Sequence, residues 1–146
     1  WVFGPVASAS AWQWNLALKD IATEDAGGVC LRFASGPVAQ LGICLFQRDT
    51  NSRLQIVGDK GTIRIEYGAP RLSVFRDAEG AWQTGAAAQI ERDDLFRDQA
   101  RHFIDCIQGK AVPRCTIEDG EQTLRTMLAI LKSVDGDGRF VPVTRP

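Results

Sequence analysis

Residues 93–143 constrain the fold more than any other stretch, because two amphipathic helices and a short terminal strand can be read there from spacing. Asp93 and Asp94 put carboxylates where the unpaired N–H groups of a helix start favour them. Phe96, Ala100, Phe103 and Ile107 then recur at three- and four-residue intervals, and Gly109 closes the helix. This pattern predicts one buried stripe. After the loop from Lys110 to Cys115, Thr116 and Asp119 have the spacing of a reciprocal cap. Leu124, Met127, Leu128, Leu131 and Val134 make a second apolar face ending near Gly136. Arg139 to Val143 reads as a strand, and its Pro142, which has no N–H to donate, suits a sheet edge.

Two such helices need a flat apolar partner, and the preceding chain offers one. Residues 28–34, 38–46, 53–57, 62–67 and 72–75 are short runs rich in Val, Ile, Leu and Phe, separated by Ser-Gly-Pro, Asp-Thr-Asn-Ser and Gly-Asp-Lys-Gly. A meander of strands follows. Leu54 and Ile56 alternate with Arg53 and Gln55, and Ile63, Ile65 and Tyr67 alternate with Arg64 and Glu66, across the turn Gly58-Asp-Lys-Gly61. A hairpin is the simplest solution. The strand at 38–46 differs: Ala39, Leu41, Ile43 and Leu45 lie on one face, and Val38, Gly42, Cys44 and Phe46 on the other, so both sides are apolar apart from Gln40. Two helices cover one face of a sheet. Either they wrap both sides, or another subunit or domain covers the second, with Trp12, Trp14 and Trp82 as anchors of such a contact or as ordinary core residues.

At 146 residues the chain fits one domain, 1–146, with its own hydrophobic core. It opens on Trp1 rather than Met, and Trp-Val-Phe-Gly-Pro-Val reads as a strand entered from the middle, so a longer parent is expected. Net charge is -1 with both signs scattered, which leaves no electrostatic footprint for nucleic acid or an anionic membrane. No apolar run approaches the roughly 20 residues that span a bilayer, and no signal pattern opens the chain. Cys30, Cys44, Cys106 and Cys115 are far apart, with no Cys-x-x-Cys, and His102 is the single histidine. That argues against a zinc site or disulfide framework and fits a reducing cytoplasm, with Cys30 and Cys44 in apolar strands and Cys106 on the first helix read as small buried or semi-buried thiols.

Motifs for nucleotide chemistry are missing: there is no Gly-x-Gly-x-x-Gly and no phosphate loop, and Gly58-Asp-Lys-Gly61 has strands on both flanks rather than strand then helix. His102 lies one position off the Phe96/Phe103 stripe, where a helix-flank histidine with a local partner is a simpler reading than a general base. Glu118 and Asp119 sit in a helix's first turn, which the dipole favours. Glu24-Asp25, before a strand, is the acid pair left as a candidate for acid/base work, with a structural role as the simpler alternative.

In order, Glu24-Asp25 leading into residues 28–36, the segment 53–65, Phe96, Gln99, His102-Phe103, Gly109, Pro113, Thr116-Ile-Glu-Asp-Gly120, Ser133 and the segment 138–143 resemble the C-terminal domain of the Gfo/Idh/MocA oxidoreductases, the glucose-fructose oxidoreductase and inositol dehydrogenase family. The resemblance implies an α+β fold: an open-faced, largely antiparallel sheet with two C-terminal helices packed on one face, the bare face serving as a homodimer interface. It implies NAD or NADP in a full-length parent, bound by an N-terminal Rossmann domain that also carries a Glu-Lys-Pro lysine, with an Asp/His pair assisting proton transfer. None of these motifs occurs in this chain, which is therefore expected to hold no catalytic, cofactor-binding or metal-binding residue and to be inert alone.

The parent would act on a sugar, polyol or related alcohol. By the same resemblance the connection 47–51 approaches substrate, which nominates Gln47, Arg48 and Thr50 as substrate-binding, and a guanidinium there favours an anionic substrate. A solvated loop is the simpler reading. A rival class is a stand-alone, non-enzymatic module that binds a protein partner through its open sheet face.

Overall fold

A computed structural model of the chain describes residues 2–49, 51–67, 71–85 and 91–144, apart from the side chain of Arg92. Among these residues the elements run β1 (Val6–Trp14), β2 (Ala26–Phe33), β3 (Val38–Cys44), β4 (Arg53–Gly58), β5 (Gly61–Glu66), β6 (Arg71–Arg76), a short 3-10 turn (Asp77–Glu79), β7 (Ala81–Thr84), α1 (Arg92–Ile107), α2 (Ile117–Asp135) and β8 (Val141–Pro142). The fold is α+β, with antiparallel sheets and two helices. The strands form two four-stranded sheets, and the chain divides into two compact units, Trp1–Gln47 with Pro113–Pro146, and Arg48–Val112.

In the first unit the strand order is β3-β2-β1-β8, every pairing antiparallel. Registers Ala11↔Val29↔Leu41 and Ala9↔Leu31↔Ala39 put these six side chains on one face, because side chains alternate along a strand. α2 lies on that face over β1 and β8, and the core is Ala9, Ala11, Ala129 and Ile130, flanked by Val29, Leu31, Val134, Val141 and Val143. The buried positions of α2 are Thr126, Ala129, Ile130 and Ser133, spaced i, i+3, i+4, i+7. This corrects the expected apolar face: Leu124, Met127, Leu128 and Leu131 are all about half exposed. Small residues face the sheet because the facing strand offers alanines, and small side chains on both surfaces let helix and strand backbones approach closely.

That approach is sealed by Ser133, which is fully buried. Its hydroxyl accepts the Ala11 N–H at 2.9 Å and donates to the Arg139 carbonyl at 2.7 Å. Ala9 pairs with Val141, so the next ladder pair would be Ala11 with Arg139; the serine hydroxyl stands between those two groups and satisfies both. β8 therefore stops at Val141, shorter than the expected strand from Arg139, while its edge position agrees with Pro142. Beside it, Ser10 donates to the Gly138 carbonyl at 2.5 Å, and Gly138 has a positive φ of 76° with the Trp12 indole against its α-carbon, so a side chain would collide.

The second unit is the meander β4-β5-β6-β7. Its first hairpin closes at Gly58↔Gly61, as the turn sequence predicts. Gly61 has φ 152° and lies so close to the Phe75 carbonyl that no Cβ fits. One face carries Leu54, Ile56, Ile63, Ile65, Leu72 and Val74; the other carries the row Gln55, Arg64, Ser73, Thr84, with the Arg64 guanidinium 4.3 Å from the Trp82 ring centre. α1 belongs to this unit, with Asp93 and Asp94 in its first turn and Gly109 just beyond its end at φ 70°. Its stripe is not buried as the spacing predicts: Phe103 and Ile107 are 66% and 71% exposed. Periodicity forms an amphipathic helix; burial needs an apposed surface, which spacing does not specify.

Candidate functional site

The β1–β2 connection is held by two residues at its ends. Asn15 donates through Nδ2 to the carbonyls of Ile21 at 2.7 Å and Thr23 at 2.8 Å. The Asp25 carboxylate, almost fully buried, accepts the N–H groups of Leu16 at 2.8 Å and of Ala17 and Leu18 at 2.7 Å each. Burial pushes the Asp25 carboxyl up, but the N–H groups of Leu18, Leu16 and Ala17, with its own, outweigh this and hold it below the ordinary aspartate value. A carboxylate so occupied is a poor proton acceptor for substrate. Asp25 is thus a loop anchor, and its neighbour Glu24 is exposed and accepts the Thr23 hydroxyl at 3.1 Å. The acid pair does not work together.

The concavity of the first unit lies between its sheet and α2. A cavity of about 860 Å³ has Val29, Leu31, Phe33, Leu41 and Ile43 as its floor, Thr126, Met127 and Ile130 as its roof, and Arg114, Glu118 and Asp119 at its lip. An apolar interior with a polar lip can take an apolar group whose polar end stays at the rim. Sequence reasoning missed this space, since it arises where α2 sits over β1 and leaves β2 and β3 uncovered. The one signal was the two-sided apolar pattern of β3. Leu41 and Ile43 are 47% and 57% exposed, and Val38, on the opposite face, 73%. Trp12 and Trp14, also on that opposite face, are about half exposed, so the sheet is open and these are not core tryptophans.

Gln47 is not among the residues that line the cavity. Gln47, exposed, ends the first unit; Arg48, exposed, begins the second; Thr50 lies outside the described residues. His102 has the expected local partner, Cys106 one turn on, at 3.6 Å. All four cysteines are free; Cys30 and Cys106 are partly buried, whereas Cys44 and Cys115 are exposed, correcting the expectation of buried thiols in the case of Cys44 because β3 is an edge strand. No helix among the described residues is long and apolar enough to cross a membrane.

Over residues 1–143 the chain matches the family model described as the oxidoreductase family, C-terminal alpha/beta domain, of the Gfo/Idh/MocA type. Among solved structures it is similar to the WlbA dehydrogenase from Bordetella pertussis in complex with NADH and UDP-GlcNAcA, at 26% identity and TM-score 0.72, covering 100% of this chain and 43% of that one. It is similar in fold to an oxidoreductase from Agrobacterium radiobacter in complex with NAD+, L-tartaric acid and magnesium, at 18% identity and TM-score 0.81, covering 97% and 44%. A levoglucosan dehydrogenase in complex with NADH and L-sorbose has the same fold, at 17% identity and TM-score 0.81, covering 97% and 46%. The chain spans less than half the length of each of these proteins. No curated protein matches it.

Proposed function

The chain belongs to the Gfo/Idh/MocA oxidoreductase family as its C-terminal alpha/beta domain, and from that premise we propose that residues 1–146 act as one substrate-binding and oligomerisation domain of a longer, cytoplasmic NAD(P)-dependent oxidoreductase. Its substrate is a sugar, polyol or related alcohol. The observation that carries this reading is the family match over 143 residues, joined to oxidoreductase neighbours in complex with NADH or NAD+ and with UDP-GlcNAcA, L-tartaric acid or L-sorbose. L-tartaric acid in one of them favours an anionic substrate met by Arg48. The open sheet face with Trp12, Trp14, Val38 and Cys44 is the surface assigned to homodimer formation.

The cofactor does not fit the described residues of this chain. A dinucleotide pyrophosphate needs a glycine-rich turn that leads from a strand into a helix, whereas Gly58 and Gly61 close a strand-to-strand hairpin. No hydride step is therefore assigned to residues of this chain. The contribution read here is positional: a sheet scaffold, a connection carrying Arg48, and an assembly face.

The test is to express the chain together with its upstream coding sequence and to follow NADH and NADPH formation with a panel of sugars, polyols and sugar acids. Turnover by the longer protein, and a flat calorimetric titration of the 146-residue chain with either cofactor, are expected. Micromolar cofactor binding by the chain alone would overturn the division of labour.

A further inference from the structure

We propose that His102 and Cys106 form a two-ligand binding site for a borderline-soft divalent metal ion of the zinc class. Both lie on α1, four residues apart and thus one turn apart on the same face. Nε2 of His102 stands 3.6 Å from Sγ of Cys106. Zinc bonds of about 2.0–2.1 Å to nitrogen and about 2.3 Å to sulfur, at a tetrahedral angle, separate the two donor atoms by about 3.5–3.6 Å. The helix already holds the pair at the bite of one tetrahedral ion.

The electrostatic setting favours a cation. Cys106 is in the last turn of α1, at the negative end of the helix dipole, and no basic residue occupies that turn. Asp105 adjoins Cys106, and Asp98 lies one turn before His102, though its carboxylate also holds Arg101 at 3.0 Å. Both donors are partly buried, so an ion can reach them from solvent. One imidazole nitrogen and one sulfur select zinc, cobalt or copper over magnesium or calcium, which prefer oxygen. On binding, the thiol proton leaves to solvent and the ion takes the thiolate and the neutral imidazole.

Among the described residues no third His, Cys, Asp or Glu joins the pair. Two coordination positions are left to water or to an external donor, which makes this an exchangeable site rather than a closed structural one. The pair has the helical spacing His-x-x-x-Cys rather than that of a Cys-x-x-Cys motif.

The experiment uses the reduced 146-residue chain and cobalt(II) as a probe. A thiolate-to-cobalt charge-transfer band with the visible bands of a tetrahedral site is expected, lost on adding zinc. His102→Gln and Cys106→Ser should each weaken binding at least about tenfold, the lower end of what even an outer-shell partner is worth. Cys44→Ser and Cys115→Ser should leave it unchanged. If a variant fails to fold, the wild-type chain decides alone: zinc should slow alkylation of Cys106 while Cys30, Cys44 and Cys115 keep their rates. Absence of the band, its survival in His102→Gln, or equal protection of all four thiols would overturn the site.

Discussion

Asp25 and Ser133 show how single polar groups, sealed from water, set backbone paths that apolar residues only fill. Asp25 has its three loop N–H donors in hand and a depressed folded-state pKa, so its stabilising contribution is present above the ordinary aspartate value and is lost as pH falls through the lower, folded value. Asp25→Asn should lower Tm at neutral pH by several degrees, and the gap from wild type should close below the ordinary aspartate range. A gap that stays constant through acid pH, read by circular dichroism, would remove the carboxylate from the explanation. Ser133→Ala leaves the Ala11 N–H and the Arg139 carbonyl buried without their partner. At about 1–3 kcal/mol for each such group, a loss of about 2–6 kcal/mol in urea unfolding is expected. Ser133→Thr, which keeps the hydroxyl but adds a methyl against Ala11, should recover only part of it.

Among the elements, α2 is the best determined by its own sequence. Thr116 accepts the Asp119 N–H while the Asp119 carboxylate accepts the Thr116 N–H at 2.9 Å, so the reciprocal cap read from spacing is present. The N–H and hydroxyl of Thr116 hold the Asp119 carboxyl below the ordinary aspartate value, slightly opposed by burial. Thr116→Ala should cost about 1 kcal/mol in chemical unfolding, the usual worth of an N-cap. No change would mean that packing on β1 alone holds the helix start. β3 tests the sheet: Leu41 faces the cavity side and Cys44 the opposite side. Leu41→Asp should destabilise the fold by about 1–3 kcal/mol by placing a carboxylate beside the core, whereas Cys44→Asp should leave Tm within a degree or so.

For the whole molecule the same pair of variants reads out assembly. Wild-type chain at tens of micromolar should sediment as a dimer, and Cys44→Asp, still folded, as a monomer. A monomeric wild type would remove the sheet face as an oligomer surface while leaving the family assignment intact. In the longer oxidoreductase proposed above, Arg48→Ala should lower kcat/KM by roughly ten- to a hundredfold, the loss expected for one charge-assisted contact of about 1.5–3 kcal/mol. Arg76→Ala, at the end of β6, is the control. Equal, small effects at both would return Arg48 to the solvated surface.

Local information was enough wherever one segment makes its own bonds. Both helices, the cap at Thr116, the Gly58 to Gly61 hairpin, the edge position of Pro142 and the order of motifs that marks the family all follow from spacing and turn chemistry within a few residues. What only the tertiary structure decided depends on groups far apart in the chain. The strand expected over the opening residues is β1, Val6–Trp14, which was missed beyond its first residue because alternating serine and alanine carry little hydrophobic signal, yet its alanines let α2 pack close. Which face of α2 is buried was misread for the same reason: the leucines are the more apolar residues, but the hydroxyl of Ser133 and the small side chains beside it fit a backbone 122 residues away. Asp25 was visible as an acid and invisible as an anchor, since its donors become neighbours only when the loop folds back. The cavity beside α2 belongs to no segment at all; it is the space left where a helix crosses a sheet wider than itself.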